Sequence, residues 1–147
     1  MTVSGISLVD ANVWLAIAVD GHIHHAAVSS WFDGQAEDAC AFCRITQLAL
    51  LRHLTNPKIM GAGNVQTQVE AWRAFEALAA DPRVVFLDEP PGLTSVFKSL
   101  TQLSRPAHKR WSDAFLAAFA MGFGLRVVTL DADLTSFPGL PVTLLAR

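Results

Sequence analysis

The chain reads as an α/β protein, a central, mainly parallel β-sheet flanked by α-helices. Three observations predict that class. Short apolar runs alternate with longer stretches at helical spacing, the pattern of strands joined by helical crossovers. The 147 residues, 52% apolar and 16% charged, are enough for one compact core and one domain over 1–147. Acids stand just past two apolar runs, at Asp10 and Asp131, where an open parallel sheet gathers its ligands.

In order, Ile6–Val9 is the first strand and Asn12–Val19 the first helix, broken by Asp20-Gly21. His25–Phe32 is a second amphipathic helix, closed by Asp33-Gly34. Ala39–Arg44 is the second strand, followed by a helix over Thr46–Leu54 with Thr46 as its N-cap and Asn56-Pro57 as its stop. Lys58–Asn64 reads as a glycine-bearing loop and Val65–Ala80 as a long helix. The third strand is Val84–Leu87, followed by a helix over Leu93–Leu103. A further helix opens at Asp113 and leads through a glycine stop to the fourth strand, Val127–Leu130. Pro141–Leu145 is a last strand at the sheet edge, because proline lacks the N–H an interior strand needs.

Net charge is −2, so any nucleic-acid surface must be a local basic patch. No apolar run reaches the roughly 18 residues of a membrane span, and no signal peptide opens the chain; a cytoplasmic protein is expected. Cys40 and Cys43 exclude a disulfide framework. Residues three apart on a strand point to opposite faces, so the pair reads as buried core thiols.

Asp10 and Asp131 share the crevice at the strand ends, and Asp113 at its helix start can point into it. Carboxylates gathered in one place repel unless a cation neutralises them, and a hard divalent ion suits oxygen ligands. The expectation is a magnesium or manganese site for phosphoryl chemistry, in which the ion activates water and stabilises charge on a phosphodiester. Each acid also has a plain role, Asp113 as a helix-start residue and Asp131 and Asp133 in a solvated turn.

Three segments, LVDANVWL, FCRITQLALLRHLTNP and SDAFLAAFA with RVVTLDADL, together resemble a PIN domain, and more narrowly the VapC-type toxin ribonuclease of a VapBC toxin–antitoxin pair. The resemblance covers essentially the whole chain. It implies a Mg2+- or Mn2+-dependent endoribonuclease acting on RNA, a PIN-like fold, and inhibition by a cognate VapB-type antitoxin. The family's acids carry over onto Asp10, Asp113 and Asp131 as catalytic and metal-binding residues, with Asp133 as an auxiliary acid. The family's glutamate after the second strand falls on Gln47. That glutamine can orient water through its amide oxygen but brings no charge, which weakens metal affinity or alters metal preference.

Asn12 either supports Asp10 or caps the first helix. Thr129 and Ser112 are hydroxyls near the acids, with ordinary packing as the simpler role. Arg52 is either a phosphate contact or an exposed helix-face arginine. Arg105, Lys109 and Arg110, with His108 and Trp111, either hold RNA phosphates and stack a base or form a solvated face with Trp111 inward. His22, His24 and His25 read as surface, and Asp88-Glu89 as loop. The 9 phenylalanines and 4 tryptophans exceed what one small core absorbs, so a homodimer is expected. Two rival readings remain: a phosphohydrolase with an aspartyl nucleophile, which usually has a second aspartate where this chain has Asn12, and a catalytically weakened PIN-like interaction domain, supported by Gln47.

Overall fold

A computed structural model describes residues 5–145. It has five strands, β1 (Ser7–Val9), β2 (Cys40–Phe42), β3 (Val84–Phe86), β4 (Arg126–Thr129) and β5 (Val142–Leu144). The helices are α1 (Ala11–Ala18), α2 (His25–Asp33), α3 (Arg44–Leu54), α4 (Pro57–Met60), α5 (Gln68–Ala79), α6 (Leu93–Leu100) and α7 (Arg110–Phe123), with a 3-10 turn at Ala132–Ser136. The sheet is ordered β3-β2-β1-β4-β5, and every pairing is parallel. The predicted α/β architecture is therefore present.

Side-chain alternation along each strand divides the core into two layers. Leu8, Ala41 and Val127 face α6, α7 and the 3-10 turn, where they meet Leu116, Phe119, Leu134 and Phe137. Their neighbours Val9, Phe42 and Val128 face α1, α2, α3 and α5, where Trp14 stacks on Phe42 with ring centroids 4.0 Å apart. Truncating such a buried aromatic typically costs about 3–5 kcal/mol. Cys40 and Cys43 lie in opposite layers, both buried and free. Burial pushes the Cys40 thiol up to about 12, so it stays protonated and inert.

Several boundaries differ from the sequence reading. Helix α3 begins at Arg44, and Thr46 is not its cap: the hydroxyl of Thr46 accepts the Cys43 N–H at 3.0 Å from inside the first turn. Asn56 caps a short helical turn, α4, within the expected loop, accepting the Lys58 N–H at 2.9 Å. The long helix starts only at Gln68, because Thr67 and Glu70 form a reciprocal capping box. Helix α6 stops at Leu100, where the Thr101 hydroxyl returns to the Phe97 carbonyl. Helix α7 starts at Arg110, so Asp113 lies within its first turn rather than opening it. Gly124 ends α7 in the left-handed conformation, at φ 67°, which a residue without Cβ adopts freely. Strand β5 is at the sheet edge as expected, with Pro141 just outside it offering only its carbonyl, to the Val127 N–H.

Candidate active site

Strand order decides which chain segments meet. Because β1 and β4 are neighbours, Asp10 directly after β1 and Asp131 just beyond β4 come together at the C-terminal rim of the sheet. Helix α7 brings Asp113 to the same place. One carboxylate oxygen each of Asp113, Asp131 and Asp133 lies within 4.8 Å of the others. Among the described residues this is the one group of three or more acids, histidines or cysteines within shared ligating reach. Asp133, expected as an auxiliary, therefore belongs to the tightest cluster, and Asp10 borders it.

Asp10 is held on both oxygens. Its Oδ1 accepts the Ala11 N–H at 2.7 Å, capping α1, and its Oδ2 accepts the Thr129 hydroxyl at 2.8 Å. The fully buried Thr129 Oγ1 also accepts the Asp131 N–H at 3.0 Å and the Asn12 side-chain amide at 3.4 Å. Asn12 Oδ1 accepts the Leu130 N–H at 3.2 Å, so Asn12 does not cap α1; it ties α1 to the end of β4. Asp131 in turn caps the 3-10 turn by accepting the Asp133 N–H at 2.9 Å. Thr129 is thus a node the sequence reading undervalued. The available signal was a hydroxyl two residues before Asp131, on the last position of a buried strand.

Burial and mutual repulsion mark these acids. Burial raises the Asp10 pKa, with Asp131 adding to the rise, while Thr129 and the Ala11 N–H oppose it. Asp113 is pushed up to about 6, first by burial and then by the charges of Asp131, Asp10 and Asp133. A group of oxygen donors that resists ionising together is what a divalent cation relieves. The residues present therefore fit a divalent cation held by Asp113, Asp131 and Asp133, with Asp10 alongside.

A cavity of about 270 Å3 opens over Asp10 and Asp113, lined also by Ser112, Thr46, Leu48 and Arg52 among others. Arg52 is exposed at its wall and forms no ion pair among the described residues. A second cavity, of about 310 Å3, shares Asp113 and adds Arg105, His108, Lys109, Arg110 and Asp133. The predicted basic segment therefore rims the acid cluster. Arg110 is fixed there, its guanidinium 3.9 Å from the Phe137 ring centroid and hydrogen-bonded to the Ser136 hydroxyl at 2.7 Å. Trp111 is 55% exposed, with only an edge contact to Phe97, so its ring is not packed inward.

Gln47 is placed differently from the expectation. It is not among the residues lining the acid cavity; it lines another, on the far side of α3. Its amide oxygen accepts a 2.6 Å hydrogen bond from Arg44. The reason is helical phase: Ile45, Leu48, Ala49 and Arg52 form the face of α3 toward the acids, and Arg44 and Gln47 lie off that face. His25 binds the Ala16 carbonyl at 2.7 Å, and the three histidines contribute to no ligating group. Asp88 and Glu89 are exposed in their loop. A cavity of about 550 Å3 between the end of α1 and α4 is lined by Asp20 but by none of Asp10, Asp113, Asp131 and Asp133.

An open parallel sheet with carboxylates converging at its strand ends defines an α/β protein with an acidic crevice at that rim. The PIN domain family model matches residues 7–140, and the chain belongs to that family. Its kinship lies with the VapC proteins. It is 42% identical over 144 residues to Ribonuclease VapC41 of Mycobacterium tuberculosis, an alignment spanning 95% of this chain and 99% of the relative. The fold matches that of VapBC-1 from nontypeable Haemophilus influenzae, with a TM-score of 0.66 at 16% identity over 97% of this chain and 99% of that one. It also matches M. tuberculosis VapC20, a sarcin-ricin loop cleaving toxin, with a TM-score of 0.62 at 16% identity over 88% and 92% of the two chains. No helix among the described residues is long and apolar enough to cross a membrane.

Proposed function

We propose that this protein is a divalent-metal-dependent endoribonuclease, the toxin of a type II toxin–antitoxin pair, which hydrolyses RNA phosphodiester bonds at the Asp113–Asp131–Asp133 cluster. The observation that carries the reading is the convergence of these carboxylates with Asp10 at the strand ends, in a chain 42% identical to a VapC ribonuclease. Magnesium or manganese bound there would act as a Lewis acid toward the phosphate and lower the pKa of an attacking water. The protein's own residues do the rest. Thr129 and the Ala11 N–H fix the orientation of Asp10. Arg52 at the wall and Arg105 and Lys109 at the rim bind substrate phosphates, and exposed Trp111 offers a face for an unstacked base. Arg110, braced on Phe137, adds positive charge beside Asp113.

The partner is a VapB-type antitoxin, as the kinship with chains solved as VapBC complexes supports, and the protein acts in the cytoplasm as a homodimer. The two rivals lose ground. Both Asp10 oxygens already accept hydrogen bonds, a poor arrangement for a nucleophile. Gln47, the main support for a weakened site, sits outside the acid cavity. The test is cleavage of RNA by the wild type with Mg2+ or Mn2+, beside Asp113→Asn and a chelator control. Cleavage that persists in both controls would overturn the reading.

A further inference from the structure

We propose that Arg110 is a positioning residue for the cation site, a brace that holds α7 and the 3-10 turn at the spacing the acids need; this rests on the metal-dependent reading above. The acid cluster is split between two elements. Asp113 is carried by the first turn of α7, while Asp131 caps the 3-10 turn and Asp133 lies inside it. One oxygen from each comes within 4.8 Å of the others. Like charges so close repel, and the repulsion acts across the gap between the two elements. Without a cation, the protein itself must hold α7 against the turn.

Arg110 spans that gap. It opens α7 three residues before Asp113, one turn of helix away on the same side. Its Nη1 donates to the Ser136 hydroxyl at 2.7 Å, and that hydroxyl donates to the Asp133 carbonyl at 2.7 Å. Among the described residues this is the one side-chain hydrogen bond between α7 and the turn. The Arg110 guanidinium also lies 3.9 Å from the centroid of the Phe137 ring. Phe137 is 3% exposed, anchored in the layer that holds Leu134 and Phe119. A line of contacts therefore runs from the helix that carries Asp113 to the backbone of Asp133.

The contacts Arg110 does not make point the same way. It forms no ion pair among the described residues, although its charge is felt at Asp113. A guanidinium loose among carboxylates would pair with them and take the place of the cation. Phe137 on its face and Ser136 at its edge hold it off the acids, so the carboxylate oxygens stay free for a metal. The sign of a substitution separates a brace from a bystander. A positive charge beside a cation site opposes the cation through space, so removing a bystander arginine should tighten metal binding. Removing a brace should weaken it, because the acids lose their preset spacing.

The experiment is a calorimetric titration of the full chain with Mn2+, without RNA. Arg110→Gln should bind Mn2+ about tenfold more weakly, the scale usual for a residue that orients metal ligands. Ser136→Ala changes no charge, and should weaken binding by about threefold, the scale of one net hydrogen bond. That residue is exposed, so the second variant keeps the test valid if Arg110→Gln folds poorly. RNA cleavage should follow the metal. Both variants should need more Mn2+ for half-maximal rate, approach the wild-type kcat at saturating Mn2+, and keep KM for RNA within about twofold. Mn2+ affinity that stays level or rises in either variant overturns the brace. A raised KM for RNA with unchanged Mn2+ affinity makes Arg110 a phosphate contact instead. If the variants bind Mn2+ more weakly than wild type but no RNA is cut, the brace stands and the ribonuclease reading fails. If wild type takes up no Mn2+, the cation reading and the brace fall together.

Discussion

The Thr129 hydroxyl donates to Asp10 Oδ2 at 2.8 Å, joining the end of β4 to the residue that leaves β1. The same oxygen accepts the Asp131 N–H, so one buried hydroxyl sets both acids. Thr129→Val keeps the shape and removes the hydrogen bonds. It leaves a buried carboxylate oxygen and an N–H without partners, a loss of about 1–3 kcal/mol. We expect a reduction in kcat of roughly tenfold or more with lesser change in KM, since a displaced Asp10 acts on the chemical step, and rescue by Thr129→Ser. Equal kcat in wild type and Thr129→Val would remove the hydroxyl from the mechanism.

The acids themselves should behave alike in activity. Asp10→Asn, Asp113→Asn and Asp131→Asn should each abolish RNA cleavage while leaving the circular dichroism spectrum of the wild type. Without metal, removing a charge from a repelling group should hold or raise the melting temperature. A variant cutting RNA at the wild-type rate under equal magnesium takes that acid out of the site.

Gln47→Glu offers a test of placement. At a position facing the metal, the new carboxylate would tighten manganese binding. Beside Arg44, 2.6 Å from the present amide oxygen, it forms an ion pair instead. Calorimetry should therefore find manganese affinity within about twofold of the wild type. A gain of tenfold, equivalent to about 1.4 kcal/mol, would put position 47 back among the metal-facing residues.

The case of Gln47 shows where sequence reading stops. Position in a motif located α3, although the helix begins at Arg44 and not at Thr46; which side of a helix faces a crevice depends on packing. Leu50 and Leu54 are fully buried against the Trp14–Phe42 layer, and that sets the rotation of α3. The strands, their parallel order of connection and the meeting of Asp10 with Asp131 were legible, because apolar runs and strand-end acids are local signals. The Thr129 node was not, since its partners Asn12 and Asp10 are 117 and 119 residues away. Asp113 was legible as a helix-start acid. Its closeness to Asp133 depends on the 3-10 turn that Asp131 caps.

The oligomeric state can be checked directly. Val69 and Trp72, three residues apart on α5, are 60% and 47% exposed. Such neighbouring apolar surface is a candidate self-association face. We expect a homodimer by light scattering at tens of micromolar, roughly where stable dimers persist, and a shift to monomer in Val69→Asp. A monodisperse wild-type monomer at that concentration would refute the dimer.

The pH dependence of the metal-free protein follows from Asp113. Its folded pKa is raised from 3.8 to about 6, chiefly by burial and then by Asp131, Asp10 and Asp133. A raised pKa means the folded state holds the proton more tightly than the unfolded chain. The resulting stabilisation is complete below about pH 4 and is lost as pH climbs through 6. Full conversion of the shift would give about 3 kcal/mol; Asp113 is half-buried, so solvent screening reduces this to roughly 1–2 kcal/mol. Asp81 works in the opposite sense, its pKa lowered to about 2 by the Arg83 hydrogen bond, and it affects stability only under acid conditions. Comparing wild type with Asp113→Asn cancels that contribution, because both retain Asp81. In EDTA the two proteins should melt together near pH 4 and diverge by several degrees by pH 7, with Asp113→Asn the more stable. Saturating Mn2+ should then stabilise the wild type at pH 7 more than the variant, since the cation offsets the same repulsion. Melting curves that stay parallel from pH 4 to 8 would show that Asp113 does not feel its acidic neighbours.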